Sequence, residues 1–378
     1  ACPAAVSGLA AVHRAHFAAG LRAKAGRRVV VVCADEGEAQ RFAEDLHAFT
    51  GEQVLTLPSR EFTFHDAAVV SRQWEHRRLS ALRALAMGET DLVVTTPEAL
   101  LQRTLPSALL LQTVHTLRVG EVHDLTELAE TLTAAGYIRC DQVEGVGQFA
   151  LRGGILDLFS PACDQPIRCE FFGDEIDAMG TFDPATQRRV ENRQICDILP
   201  VAEVLPQLSP GGFSGLAEAL ERLISQEKTA KGDHNPLIAT LSQDRERLSQ
   251  GLSFPAMDRY LSLVYPELAT AADYLPEDAV VCLSESPRVA ERARNYLWRM
   301  EEDVKTLLES GLVAGSLARF TRTFEELMDR LSDWPVVYLD TFTSNTYPLR
   351  PRSLLDVLTK QLPSYGASLE TAAADLEH

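Results

Sequence analysis

The sequence predicts an α/β protein in which a parallel sheet is interrupted by an inserted β-rich segment. Strand and helix patterns alternate over residues 1–115, which is typical of a doubly wound sheet. Within this segment, residues 27–34 (RRVVVVCA) are the continuous apolar run expected of a strand covered on both faces. Residues 148–189 instead alternate in twos between apolar and polar, as in a sheet with one buried face. Buried-strand patterns then return at 280–283 and 336–340.

The first segment can be divided into elements from its hydrophobic periodicity. Apolar runs predict the strands, and amphipathic spacing predicts the helices between them. The predicted strands are 1–6, 27–34, 54–57 and 92–95, and the predicted helices are 10–23, 36–49 and 72–87.

Composition and charge limit the possible functions. The chain has 378 residues, of which 46% are hydrophobic and 24% charged, so two or three globular domains are expected. It contains 54 acidic and 36 basic residues, a net charge of −18, which disfavours autonomous DNA binding. No apolar run reaches the length of about 18 residues that would predict a membrane span. The seven cysteines form no CxxC pair, so we expect reduced thiols, no zinc site and a cytoplasmic location.

The junction after the first strand is where a P-loop would lie. A working P-loop, G-x-x-x-x-G-K-[ST], wraps phosphates with its backbone, neutralises them with Lys and holds magnesium with a hydroxyl. Here the frame gives Gly8, then His13, Arg14 and Ala15. His13 crowds the backbone, Arg14 keeps only the charge, and Ala15 has no oxygen for the metal. The sequence favours a fold that has lost the ability to bind a nucleotide over an ATP site that tolerates these substitutions.

The inserted segment, 116–200, begins with a helix that Asp124 can cap and Gly136 can end. Its strand patterns place one set of side chains inward: Phe149, Leu151, Ile167, Cys169 and Phe171. The opposite set comprises Ala150, Arg152, Arg168, Glu170 and Phe172. Of these, Arg152, Arg168 and Phe172 are predicted to be exposed together. An aromatic beside two arginines indicates either contact with a neighbouring domain of the same chain or a protein-binding surface.

Four acids in the same segment raise the question of a metal or a carboxylate catalyst. They are Asp157, Asp174, Glu175 and Asp177. No His or Cys joins them at ligand spacing, so solvated faces and turns are the favoured interpretation.

The third segment, 201–360, follows a boundary rich in Pro, Gly and Ser. In a helicase, the strand at 280–283 would end in Asp-Glu to hold magnesium, but here it is followed by Ser284 and Glu285. The metal carboxylate is therefore missing. We expect this segment to complete the sheet of the first one, and 361–378 to be a linker with a possible tag remnant on an engineered fragment.

Three strings in the inserted segment carry a family resemblance: RGGILDLFSP, PIRCEFFGDEI and TFDPATQR. They resemble the second domain of the repair protein UvrB, and still more the corresponding domain of the bacterial transcription-repair coupling factors. TTPEALLQRTLP, at 95–106, resembles the strand-to-helix segment of both families. The resemblance implies a degenerate helicase-like, P-loop NTPase-type fold. It also implies that Arg152, Arg168 and Phe172 contact UvrA, with Glu170 on the same surface.

The resemblance implies an adaptor that recruits UvrA to stalled RNA polymerase and needs no cofactor, metal or catalytic residue. The alternative is an ATP-dependent, UvrB-like repair helicase, which the altered motifs disfavour. A third possibility, a DNA-binding module, is disfavoured by charge. RNA polymerase and DNA would be contacted only through regions outside this chain, and the rest of the coupling factor could mask the inserted domain. No membrane contact is expected.

Overall fold

The computed structural model describes residues 2–66, 72–232, 234–359 and 373. The predicted linker at 361–378 lies outside the described residues, apart from position 373. The first segment contains short strands and amphipathic helices close to the limits predicted from periodicity. Its elements are β1 (Ala4–Ser7), α1 (Ala11–Ala25), β2 (Val29–Val32), α2 (Glu36–Thr50), β3 (Leu55–Leu57), α3 (Gln73–Ala86), β4 (Leu92–Thr95), α4 (Pro97–Leu101), β5 (Arg103–Thr104) and α5 (Ser107–Thr113).

The inserted module is mostly strand. Its elements are β6 (His115–Arg118), α6 (Leu125–Ala134), β7 (Ile138–Arg139), β8 (Gln148–Arg152), β9 (Ile155–Leu158), β10 (Ile167–Phe172), β11 (Glu175–Phe182), β12 (Arg189–Asn192) and β13 (Ile195–Ile198). Asp124 caps α6, as predicted, by accepting the backbone N–H groups of Thr126 and Glu127. Gly136, at φ +90°, follows the end of that helix.

The third segment is largely helical before it returns to strands. Its elements are α7 (Gly212–Glu227), α8 (Asn235–Ser249), α9 (Leu261–Val264), β14 (Ala269–Thr270), β15 (Val280–Ser284), α10 (Ser286–Glu309), α11 (Phe324–Leu331), β16 (Val336–Leu339) and β17 (Ser353–Asp356).

One seven-stranded sheet combines strands from both sides of the insertion. Its order is β17-β1-β16-β15-β2-β4-β3, and every neighbouring pair is parallel. Both faces are covered: Val30 and Val32 pack into one core, whereas Val29 and Val31 pack into the other. This double burial explains why β2 reads as four consecutive valines. The predicted fold class, a parallel α/β sheet split by a β-rich insertion, is confirmed.

The inserted module has a separate sheet and core. The sheet order is β12-β11-β10-β9-β8-β7, antiparallel except between β7 and β8. Strands β6 and β13 pair with each other and form a neck where the chain enters and leaves the module. The main core lies on one side of the sheet, beneath α6, and leaves the opposite side for the candidate site.

Candidate functional site

The candidate site is the face of the six-stranded sheet that lies away from the main core. Phe149, Ile167 and Cys169 pack into that core, so the residues between them point to the other side. The register places Arg168 opposite Asp157, and Arg152 opposite Ile155. We call this side of β8, β9 and β10 the outer face.

Asp157 is the centre of a hydrogen-bonded cluster on the outer face. Arg168 donates from Nε to Oδ1 at 2.6 Å and from Nη2 to Oδ2 at 2.8 Å. Arg152 donates from Nη2 to Oδ2 at 2.9 Å. The expectation that Asp157 is solvated is wrong, because the residue is 0% exposed beneath the two guanidinium groups. The other three acids, Asp174, Glu175 and Asp177, are exposed as expected.

Arg168 is more enclosed than the alternation in β10 predicted. Its side chain is only 19% exposed, and its Cζ lies 4.7 Å from the centre of the Phe182 ring. Its Nη1 donates to the backbone oxygen of Gln187 at 3.3 Å, which ties β10 to the turn before β12. The hydrogen bonds with Asp157 raise the pKa of Arg168 above its usual value. The expectation of a freely exposed Arg168 is therefore wrong.

Phe172 and Arg152 are the accessible members of the predicted set. Phe172 is 84% exposed at the end of β10, and the side chain of Arg152 is 52% exposed. The pairing of β10 with β11 shifts register between Glu170 and Phe171, because β11 has a bulge there with Asp177 as the extra residue. Exposure of an apolar ring to water is unfavourable, so an exposed Phe is typical of a surface that contacts another molecule or domain.

Glu170 lies at the edge of the same surface, but its charge has a partner. Arg189 of β12 places Nη2 3.1 Å from the Glu170 carboxylate. Sequence reasoning missed this pairing, and it also missed Ile155, which is 37% exposed on the outer face. The signal for Asp157 was present in the string ILDLF, where an acid interrupts inward-facing leucines and shares the alternation of Arg152.

The position where a P-loop would lie is filled by the chain itself. Gly8 has φ +84°, and a Cβ there would lie 1.9 Å from the backbone oxygen of Val357. The hydroxyl of Thr359 donates to the carbonyl oxygen of Gly8 at 2.6 Å. The backbone that follows β17 thus packs directly against Gly8.

An internal ion-pair cluster occupies the neighbouring space. Arg14, 5% exposed in the first turn of α1, pairs with Glu285 and lies 3.5 Å from a Glu38 oxygen. Ser284, at the end of β15, donates to Glu38 at 2.8 Å. Thr341 contributes its backbone N–H to Glu285 at 3.2 Å. Two carboxylates therefore neutralise the positive charge of Arg14, which would otherwise be available to bind a phosphate. We call these five residues the Arg14 cluster.

Three residues of the altered motifs have further distinct roles. His13 holds a buried Nδ1 with no hydrogen-bond partner among the described residues, and Ala15 is completely buried under the sheet. Glu285 adopts a left-handed backbone conformation, φ +56°, which turns the chain from β15 into α10.

A nearby acid is also directed inward. Asp340, which follows β16, accepts the backbone N–H of Ser286 at 2.6 Å and its hydroxyl at 3.0 Å. Burial raises the pKa of the Asp340 carboxyl. Within the described parts of the chain, no group of three or more His, Cys, Asp or Glu side chains is arranged to hold a metal ion. No helix there has the length and apolar character needed to cross a bilayer.

Comparison with known families identifies the inserted module. Residues 115–203 match the family described as the UvrB interaction domain. The chain thus carries a UvrB interaction domain inserted into a parallel α/β domain.

The chain is homologous to proteins named transcription-repair-coupling factor, which confirms the resemblance found in the sequence. It is 27% identical to that of Bacillus subtilis (strain 168) over 98% of this chain and 32% of the relative. It is 32% identical to that of Myxococcus xanthus over 77% of this chain and 24% of the relative. It is 25% identical to that of Staphylococcus aureus (strain MRSA252) over 95% and 31%, respectively. The chain therefore spans about a third or less of the length of these relatives.

Proposed function

We propose that this chain is a non-catalytic adaptor in transcription-coupled nucleotide-excision repair and that its inserted module recruits UvrA to stalled RNA polymerase. The observation that carries this proposal is that Phe172 and Arg152 are both exposed on the outer face of a module that matches the UvrB interaction domain. Aromatic and arginine side chains supply most of the binding energy in many protein interfaces.

The outer face has the composition expected of a contact centre with a charged margin. Phe172 can fill an apolar pocket on UvrA, and Arg152 can pair with a carboxylate there. Arg168 acts mainly from beneath, because Asp157 and Gln187 already take its donors. Glu170 and Arg189 form an ion pair at the margin.

The Arg14 cluster supports an adaptor over an ATP-driven repair helicase. A nucleotide at this position would have to displace the backbone at Val357 and separate Arg14 from Glu285. Separating a buried pair leaves desolvated charges and costs several kcal/mol, roughly 3–5. The net charge of −18 also disfavours a DNA-binding module.

Three domains are proposed, with limits at 1–115, 116–200 and 201–360. We place the protein in the cytoplasm, where its thiols would stay reduced. In the whole coupling factor, other domains would contact RNA polymerase and DNA and would be able to mask the outer face.

The test is capture of UvrA from the same source by the immobilised chain. Retention of UvrA by the wild-type chain, with loss on Phe172→Ala, is the expected result. The same chain, titrated alone with ATP and magnesium in a calorimeter, should give no binding heat. Failure to retain UvrA would contradict the adaptor, and micromolar ATP binding lost on Arg14→Ala would favour the helicase alternative.

A further inference from the structure

The Asp157 cluster contains one buried acid and two arginines. Asp157 accepts three hydrogen bonds from arginines of β8 and β10, the two strands that flank it in β9. Arg168 engages both carboxylate oxygens as a fork, which fixes the orientation of the carboxylate. Because this orientation is fixed, Oδ2 offers Arg152 an acceptor at a defined place.

The two arginines differ in how far they can reach a partner. The Arg168 side chain is 19% exposed and lies over Phe182, whereas the Arg152 side chain is 52% exposed and donates to Asp157. A long arginine side chain at a surface loses rotamer entropy on binding unless it is already held. Asp157 can remove part of that cost for Arg152 by holding one end of its guanidinium group.

The charges of the cluster also specify the chemistry of the partner. Two guanidinium groups share one carboxylate, so the cluster keeps one net positive charge, and the adjacent Glu170–Arg189 pair is neutral. The exposed ring of Phe172 lies on the same face. The surface therefore fits a partner patch that combines a carboxylate with an apolar pocket.

We propose that Asp157 is the positioning residue of the UvrA contact: it holds Arg152 in place to pair with a carboxylate of UvrA. This inference rests on the proposed function and deepens it. It separates three contributions, in which Phe172 supplies apolar contact, Arg152 supplies the charge, and the Asp157–Arg168 fork orients Arg152.

The experiment is Asp157→Asn in the full chain, with UvrA association and dissociation rates measured separately. Asn keeps the size of the side chain but loses the charge and one acceptor oxygen. Positioning predicts about tenfold weaker binding, mainly through faster dissociation. A purely electrostatic role predicts the opposite sign, because the face becomes more positive and should associate faster with an acidic partner. Tighter binding of the Asn variant would overturn the proposal.

Two controls separate positioning from general damage to the module. Cys169→Ala empties a buried site on the other side of β10, so it lowers the melting temperature and should leave UvrA affinity within twofold. In an Arg152→Ala background, Asp157→Asn should change affinity by less than twofold, because its effect passes through Arg152. A full tenfold loss in that background would assign Asp157 a merely structural role.

A readout without UvrA keeps this inference separate from the proposed function. Asp157→Asn should speed rotation about the Cζ–Nε bond of Arg152, measured by guanidinium NMR of the free chain. An unchanged Arg152 signal would overturn the positioning role whether or not UvrA binds. If Arg152 loosens but neither the wild-type chain nor Phe172→Ala shows UvrA binding, the proposed function fails instead.

Discussion

The Arg14 cluster and the Asp157 cluster use the same chemistry and differ in what lies in front of them. In the first, one arginine is enclosed by two carboxylates, and the backbone after β17 packs against the adjacent Gly8. In the second, two arginines share one carboxylate, and an 84% exposed Phe172 lies on the same face. The first satisfies its charge internally, whereas the second leaves one charge and a ring for a partner.

The difference shows that an arginine in a motif does not define a site by itself. Arg14 stands where a phosphate-binding lysine would be, yet its partners come from its own chain. Arg152 stands in a plain strand pattern, yet half of its side chain is accessible. Accessibility depends on residues distant in sequence, so the same side chain is structural in one place and available for contact in the other.

The largest effect that would test this comparison is loss of the buried arginine. Arg14→Ala should lower the free energy of unfolding by about 3–5 kcal/mol, because Glu285 loses its cation and Glu38 keeps only Arg288, at 3.3 Å. The control is Arg22→Ala on the same helix, a 21% exposed side chain paired with two half-exposed acids, Glu52 and Asp91, and expected to cost about 1 kcal/mol or less. Urea denaturation measures both free energies of unfolding. Equally small losses in the two variants would mean that Arg14 is not enclosed by its carboxylate partners.

A smaller effect sharpens the role of the enclosed arginine of the outer face. Arg168→Ala should destabilise the fold by about 2–3 kcal/mol, since Asp157 keeps only the bond from Arg152. The control is Arg188→Ala, at an exposed arginine directly before β12, which should cost roughly 0.5 kcal/mol or less. If Arg168→Ala melts like Arg188→Ala, Arg168 is a free anchor, and the distinction between the two arginines of the cluster disappears.

The smallest effect concerns pH and the junction between the module and the parallel sheet. Burial, with help from Arg72, lowers the pKa of His76 from 6.5 to about 4, and the ring packs beside Gly147. The unfolded chain binds the proton more readily, so stability is complete above about pH 6.5 and falls as the pH approaches 4. Because the ring is partly exposed, we expect a loss of roughly 1–2 kcal/mol between pH 7 and pH 5.

His76→Gln is the matched variant for the pH effect. It cannot take up the proton, so the pH dependence of its unfolding free energy should be smaller by that amount. An identical pH profile in the variant and the wild type would show that His76 does not titrate with unfolding.

The sequence predicted local features well, because period-two and helical patterns depend on near neighbours. It identified β1 to β4, β8, β10, β15 and β16, the burial of the parallel sheet and the side of β10 on which Arg168 lies, but it did not predict β17. It did not predict the burial of Asp157, which depends on arginines from two other strands. It also did not predict the enclosure of Arg168, which depends on Phe182 and Gln187 from a later strand and turn. The sequence also could not show that the nucleotide position is closed, because Val357 and Gly8 are in contact but lie near opposite ends of the chain.

The central claim is that the outer face recruits UvrA through Phe172 without help from the nucleotide position. The most direct test is calorimetric titration of UvrA with the wild-type chain, Phe172→Ala and Val190→Ala. Val190 is the matched control, because it is an exposed apolar residue, 57% accessible, on β12, which β11 separates from β10 in the same sheet.

Phe172→Ala should weaken binding by about 2 kcal/mol or more, roughly thirtyfold, with an unchanged melting temperature. Val190→Ala should bind UvrA within twofold of the wild type. Equal affinity of Phe172→Ala and the wild-type chain would contradict the account, because the exposed ring would then contribute nothing to the contact.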